Sequence, residues 1–272
     1  MNFVSYSQLI QDTINFAHQL PRFDAVAGVP RSGMLPASII AQQFHLPIYT
    51  FPYGWISNEY GTRYPINISD NPTILLIEDC VTTATHLLQA KNNLKYKNII
   101  TAAVYATSPS RNKLDYFYTI LEHPRIFEWN LFQSHIGTKS LFDFDGIYCK
   151  DPPLDDDGPK YTKYISNVRP LRYLPQVLGI VTCRLNKYRD ITTRWLNQNN
   201  MNYTHLHMME YNTARERQQD GKYGQWKAEI YQQYKDVPVF VESNINQGKT
   251  IARITQRPVI VIDDVNQIKT IL

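Results

Sequence analysis

Short apolar runs alternate with longer amphipathic stretches along the chain, and the alternation occurs twice. A polar, helical start from Ser7 to Gln19 is followed by the apolar run Phe23–Val29, which reads as a buried strand ending in a Gly/Pro turn, and then by a helix from Met34 to Phe44. The next strand is Thr73–Ile77, which enters a threonine-rich turn; a helix from about His86 to Leu94 and a strand at Ile99–Tyr105 follow. The pattern restarts at Ser140–Phe144 and recurs at Leu178–Thr182, Val237–Val241 and Pro258–Ile262, with helical stretches at Lys187–Asn199 and Tyr223–Tyr234. Strands alternating with helices imply parallel sheets with helices on both faces. The expected fold class is α/β: two doubly wound parallel-sheet domains, residues 1–138 and 139–272, with the boundary near Gly137-Thr138-Lys139. Ligands of such sheets bind at the carboxyl ends of the strands.

At 272 residues the chain is long enough for two cores. Its 43% apolar content contains no run approaching the roughly 20 residues of a membrane helix. The opening Met1-Asn2-Phe3-Val4-Ser5-Tyr6 has no basic segment followed by an apolar one, so no secretion signal and a cytoplasmic location are expected. Cys80, Cys149 and Cys183 lack any C-x-x-C spacing, which argues against a zinc site or a disulfide framework. The net charge of +4 is mild and its Lys and Arg residues are scattered, so nucleic acid is an unlikely partner and small anions fit as well.

The first candidate site is Glu78-Asp79 followed by Cys80-Val81-Thr82-Thr83-Ala84-Thr85. Two carboxylates can accept hydrogen bonds from vicinal ribose hydroxyls or hold a Mg²⁺-bound sugar, and threonines before a helix N-terminus suit a phosphate. By themselves these residues also fit a solvated strand end and a helix cap. With Gly28-Val29-Pro30-Arg31-Ser32-Gly33 upstream, the pair of motifs resembles the type I phosphoribosyltransferases. That resemblance implies binding of phosphoribosyl pyrophosphate, with the pyrophosphate at Arg31, Ser32 and Gly33 and the ribose phosphate at Glu78, Asp79, Thr82, Thr83, Ala84 and Thr85. It also implies a closing loop at Tyr53–Pro65, base stacking at Phe127 and Trp129, and a possible homodimer. The chain departs from the family where Ala84 replaces the usual glycine and His86 a hydroxyl residue; Ala tolerates positive φ poorly.

The second is Asp143-Phe144-Asp145-Gly146 at a strand tip. Alone, a D-x-D-G sequence can equally be a turn or a calcium-like loop. With the motifs after it, the chain resembles the haloacid dehalogenase superfamily of phosphatases, and around Thr182–Leu196 its polynucleotide phosphatase branch. The resemblance implies Asp143 as nucleophile, Asp145 as general acid and base, Thr182 as phosphoryl ligand and Lys227 as the neutralising lysine, with Lys222 the fallback. It implies Mg²⁺ on Asp143, Asp145 and Glu242, with Asn244 where a second acidic residue often stands. The intervals Ile147–Gly179 and Cys183–Trp226 are too short for a large lid. Asp155-Asp156-Asp157-Gly158 and Asp263-Asp264 read as solvated loop charges, and His205 and His207 as packing.

The two resemblances together imply a bifunctional nucleotide-metabolism enzyme that uses Mg²⁺, phosphoribosyl pyrophosphate and a base or nucleotide. Two alternatives stand beside it: a phosphatase regulated by a non-catalytic nucleotide-binding domain, and a nucleic-acid end-repair phosphatase.

Overall fold

The computed structural model describes residues 1–50, 54–55, 70–153, 156–262 and 268–271. It divides into two compact units, Met1–Trp129 and Asn130–Leu272. Both are mixed α/β with mainly parallel sheets. Among the described residues, no helix is long and apolar enough to cross a membrane.

The first unit carries strands β1 (Asn2–Val4), β2 (Ala25–Gly28), β3 (Ile48–Thr50), β4 (Gly54–Trp55), β5 (Ile74–Cys80), β6 (Ile99–Ala106), β7 (Tyr116–Ile120) and β8 (Arg125–Phe127). Its main sheet has the order β4-β3-β2-β5-β6-β7, with β4 antiparallel, while β1 and β8 pair separately in parallel. A central parallel strand is covered on both faces and so reads as a continuous apolar run. Ile74, Leu75, Leu76 and Ile77 of β5 are all 0% exposed. Leu75 and Ile77 face Leu9 and Phe16 of the helix Tyr6–Ala17 and Ile40 of the helix Met34–Phe44. Ile74 and Leu76 face Leu87 of the helix Thr85–Asn93.

The second unit carries β9 (Leu141–Phe142), β10 (Gln176–Leu185), β11 (Asn202–Met209), β12 (Phe240–Glu242), β13 (Val259–Ile262) and β14 (Ile268–Ile271), in the sheet order β11-β10-β9-β12-β13-β14 with β14 antiparallel. Counted along the chain this is 3-2-1-4-5-6, so the strand order reverses between β9 and β12, where an open sheet has its ligand crevice. Although only two residues long, β9 is central, pairing with β10 on one side and β12 on the other.

Several elements differ from expectation. Residues 130–138 belong with the second unit, not the first, because Phe132 packs on Phe142 at 6.2 Å and Ser140 Oγ donates to Ile136 O at 2.7 Å. The strand expected at Thr73–Ile77 runs on to Cys80, and that at Leu178–Thr182 to Leu185. The interval Cys183–Trp226 supplies β11 and the helices Arg189–Gln198 and Ala214–Asp220, and Ile147–Gly179 holds the helix Gly158–Asn167. The segment Tyr53–Pro65, apart from Gly54 and Trp55, and the residues Asp155, Asp263 and Asp264 lie outside the described residues.

Candidate active sites

The carboxyl ends of β9, β10 and β12 surround a polar cavity of about 320 Å³. Asp143 emerges from β9, fixed by its N–H donating to Val241 O at 2.8 Å. Its Oδ1 accepts from Phe144 N at 2.8 Å and lies 3.0 Å from Lys227 Nζ, while its Oδ2 accepts from Ser243 Oγ at 3.2 Å. Lys227, on the helix Tyr223–Gln233, also donates to Glu242 Oε2 at 2.8 Å. Asp143, Lys227 and Glu242 are 6%, 1% and 0% exposed, so two carboxylates share one ammonium out of water. Burial and then the Glu242 charge push Asp143 well above the usual carboxylate range, against the pull of Lys227. Burial alone would lower Lys227, but the charges led by Asp143 outweigh it and raise the ammonium.

Asp145 stands apart from this trio. Arg184 donates to it twice, from Nε to Oδ2 at 2.9 Å and from Nη2 to Oδ1 at 2.6 Å. The Arg184 guanidinium lies 3.9 Å over the Phe144 ring and reaches Thr192 Oγ1 at 3.3 Å. Thr182, 1% exposed, lines the cavity and accepts from Arg184 N at 3.2 Å. Gly146 has φ +78°, and a Cβ there would lie 2.3 Å from Ser243 Cβ, so the turn after Asp145 requires glycine. Cys183 is a cavity-wall thiol, pushed up to about 12 chiefly by burial.

The structure brings Asp143, Asp145, Thr182 and Lys227 to one cavity and gives three other candidates partners of their own. Both Glu242 oxygens are engaged: Oε2 takes the Lys227 bond, and Oε1 accepts from the N–H groups of Ser243 and Asn244 at 3.0 Å each. Asn244 does not replace a second acid, because its side chain caps the helix Ile245–Thr255 by accepting from Asn246 N and Gln247 N; Ser243 is the residue beside Asp143. Lys222 is 58% exposed and paired with Asp220, which removes it as a fallback. Arg184 and Arg217 were not singled out from the sequence, although Arg184 follows Thr182 by two positions in the same motif.

Among the described residues no three His, Cys, Asp or Glu side chains form a ready-made metal cage. Mg²⁺ commonly needs only one or two carboxylates, with water and substrate phosphate completing its shell. The oxygen donors of Asp143, which line the cavity, fit such an ion.

In the first unit the two motifs meet where the sheet order reverses, between β2 and β5. Val29 N donates to Ile77 O at 3.0 Å, and a Cβ on Gly33 would fall 2.6 Å from Val29 O and 2.9 Å from Ile77 O. Only a residue without a side chain lets the Arg31-Ser32 turn lie against β5 at Ile77. Glu78 and Asp79 lie within β5, not after it, and strand alternation sends them to opposite faces. Asp79, 1% exposed, follows Leu75 and Ile77 and accepts from Trp129 Nε1 at 2.7 Å. Glu78 is half-buried, and burial followed by the Asp79 charge raises it to about 7.

Thr82, Thr83 and Thr85 are exposed around Ala84, which takes φ +59° at the start of the helix Thr85–Asn93. Alanine therefore occupies a left-handed backbone position that favours glycine. Two cations missed in the sequence support this turn. Buried Arg125 donates to Val81 O and Thr82 Oγ1 at 3.0 Å each, and Lys113 Nζ donates to Thr83 O at 3.2 Å. Phe127 is a core ring, 7% exposed, packed at 5.6 Å from Tyr105 and 5.0 Å from Trp129. Trp129, half-buried, has Tyr6 at 5.7 Å on its other side.

No family model and no curated protein matches the sequence. Among solved structures the chain is similar to the purine phosphoribosyltransferase of Pyrococcus horikoshii Ot3, at 19% identity over 47% of this chain and 92% of that one, with a TM-score of 0.36. It is similar to the xanthine-guanine-hypoxanthine phosphoribosyltransferase of Helicobacter pylori at 17% identity, over 47% of this chain and 92% of that one, with a TM-score of 0.35. For the orotate phosphoribosyltransferase of Aeropyrum pernix the values are 16% identity, 42% of this chain, 70% of that one and a TM-score of 0.32.

Proposed function

We propose that the chain is a bifunctional nucleotide-metabolism enzyme. The second unit hydrolyses a phosphomonoester of a nucleotide or related compound through an aspartyl phosphate, and the first transfers phosphoribosyl from phosphoribosyl pyrophosphate to a base-like acceptor. The observation that carries this reading is the convergence of Asp143, Thr182 and Lys227 on one cavity with Asp145 in its wall.

In the hydrolase step Asp143 Oδ2 attacks phosphorus and the bond to the leaving oxygen breaks, with Asp145, in its protonated form and freed of one Arg184 bond, giving that oxygen its proton. Lys227 and Thr182 stabilise the transferring phosphoryl oxygens. Water then attacks the aspartyl phosphate, Asp145 takes its proton, and inorganic phosphate and the free Asp143 carboxylate result. Bound Mg²⁺, held by Asp143 and the backbone carbonyl of Asp145, would supply neutralising charge to the phosphoryl group. In the first unit, Arg31, Ser32 and Gly33 would receive pyrophosphate, Glu78 and Asp79 the ribose hydroxyls, and Thr82–Thr85 the 5-phosphate.

The test is a Mg²⁺-dependent assay with phosphoribosyl pyrophosphate and a panel of bases, following pyrophosphate, phosphate and nucleoside by mass spectrometry. Pyrophosphate release followed by nucleoside supports both activities. Asp143→Asn should abolish phosphate release while preserving nucleotide binding; retained turnover refutes the nucleophile.

A second reading of the first unit, as a sensor that binds phosphoribosyl pyrophosphate without consuming it, is favoured by Ala84 at positive φ and by the indole already bonded to Asp79. Tight binding with no pyrophosphate release on any base distinguishes it.

A further inference from the structure

The turn that carries Asp145 is held from outside. Ile147 N and Tyr148 N both donate to Phe144 O, at 3.2 Å and 2.8 Å, and Gly146 N donates to Cys149 O at 2.7 Å. These bonds occupy the N–H groups of residues 146–148 and leave their carbonyls to accept from elsewhere, as a carbonyl withdrawn from water must. Arg172 Nη1 donates to Gly146 O and to Ile147 O at 3.1 Å each, and Leu171 N donates to Tyr148 O at 2.8 Å. Two neighbouring residues thus hold three consecutive carbonyls. An isolated bridge between Cys149 and Pro170 continues the contact.

Arg172 is placed for this task. Its neighbours Leu171 and Tyr173 are 43% and 54% exposed, whereas Arg172 is half-buried with its guanidinium 5.5 Å over the Phe132 ring. Phe132 in turn packs on Phe142 of β9. Asp143 does not depend on the clasp, because β9 and Val241 O fix it. Asp145 lies beyond the strand, and its supports run through the turn. Arg184, which grips it, rests on Phe144, and Phe144 stacks at 5.3 Å on Tyr148, the residue whose carbonyl Leu171 holds. Buried Cys149 adds a third donor, from Sγ to Asp145 Oδ1 at 3.4 Å.

We infer that Arg172 is a positioning residue of the hydrolase site: by bridging Gly146 O and Ile147 O it fixes the turn in which Asp145 meets Arg184. It lies outside the cavity wall and acts through the backbone, so it touches neither the substrate nor the reacting atoms. The inference rests on the hydrolase reading and adds to it a residue 27 positions from the aspartate that it serves, a number that follows from 172 minus 145.

The test uses Arg172→Met, which keeps an apolar stem beside Phe132 and removes the donors. Its first readout is the Cys149 thiol, 0% exposed, whose reaction with N-ethylmaleimide, told apart from Cys80 and Cys183 by peptide mapping, reports local opening of the turn. Labelling should accelerate by about tenfold, the equivalent of one lost hydrogen bond. The second readout is turnover. An alkyl phosphomonoester should slow by about tenfold at unchanged KM, part of the range of a positioned general acid, and p-nitrophenyl phosphate much less. Arg257→Met is the control, because Arg257 likewise donates to the carbonyls of Tyr231, Lys235 and Val237 and lies outside the cavity wall. It should neither speed the labelling nor separate the two substrates. A wild-type labelling rate in Arg172→Met, or an equal loss on both substrates, overturns the assignment. Wild-type protein that turns over neither substrate defeats the hydrolase reading, and the labelling then still decides whether Arg172 fixes the turn.

Discussion

Arg184 grips Asp145 with two hydrogen bonds, 2.9 Å from Nε and 2.6 Å from Nη2, while its guanidinium rests 3.9 Å over the Phe144 ring. The middle residue of the D-x-D motif thus supports the cation that orients the second aspartate. Two parallel N–H bonds define both distance and plane, which one ammonium cannot do.

On the proposed mechanism, Arg184→Ala leaves Asp145 unoriented as proton donor. Turnover of an alkyl phosphomonoester should fall by about 100-fold, the scale of a positioned general acid. Turnover of p-nitrophenyl phosphate, whose leaving group needs no proton, should fall much less. Arg184→Lys should not rescue the alkyl substrate. An equal loss on both substrates would indicate general damage to the site instead.

Lys227 Nζ lies 3.0 Å from Asp143 Oδ1 and 2.8 Å from Glu242 Oε2. Replacement by Met strands two buried carboxylates and should cost on the order of 3–5 kcal/mol at neutral pH, measured by denaturant unfolding. Asp143, already raised by burial and then by the Glu242 charge, loses the opposing pull of Lys227. Stability is fullest below the unfolded carboxylate range and declines as pH rises through the raised value. The variant should therefore be distinctly more stable at pH 5 than at pH 8; a pH-independent loss would mean that the pairing contributes little.

The sequence made the strand tips of the hydrolase site legible because D-x-D-G, the Thr182 strand and Lys227 each lie in local patterns of apolar and polar residues. It did not reveal which side chains pair. Arg184 reaches Asp145 across 39 positions, and Lys227 reaches Glu242 across 15, through tertiary contacts that no local period encodes. Ser243 and Asn244 are neighbours in sequence, so only the cap on the helix Ile245–Thr255 distinguishes the residue facing Asp143 from the one facing away. The Glu78-Asp79 pair is legible as a motif, but its two faces follow only from the extension of β5 to Cys80. Residues 130–138 carry no strand or long helix of their own, so no local pattern marks where the second unit begins.

Glu78 supplies a test in the first unit. Its folded pKa is raised from 4.5 to about 7, first by burial and then by Asp79. Below the unfolded value both states hold the proton and there is no cost. As pH rises toward 7 the unfolded state gives up its proton first, so stability declines and then levels off above the folded value. The decline should be at most about 3 kcal/mol. Glu78→Gln should remove this part of the pH dependence and raise the Tm at pH 8 more than at pH 5. A Tm difference that is the same at both values would sink the assignment.

The last prediction concerns Asp79 and Trp129. The indole N–H donates to Asp79 Oδ2 at 2.7 Å, inside a site where the carboxylate is 1% exposed. Trp129→Phe keeps an aromatic ring between Phe127 and Tyr6 but removes the donor, leaving a buried acceptor short of a partner at about 1–3 kcal/mol. A carboxylate has about four lone-pair positions, so in the wild-type protein a ribose hydroxyl can share Asp79 with the indole. In the variant that hydroxyl would also satisfy the orphaned oxygen. The Tm of Trp129→Phe should therefore be lower without ligand, and saturating phosphoribosyl pyrophosphate with Mg²⁺ should raise it by more than it raises the wild-type value. A ligand-induced rise no larger than that of the wild type would show that the ribose does not reach Asp79, and the carboxylate would then serve only to hold Trp129 in place.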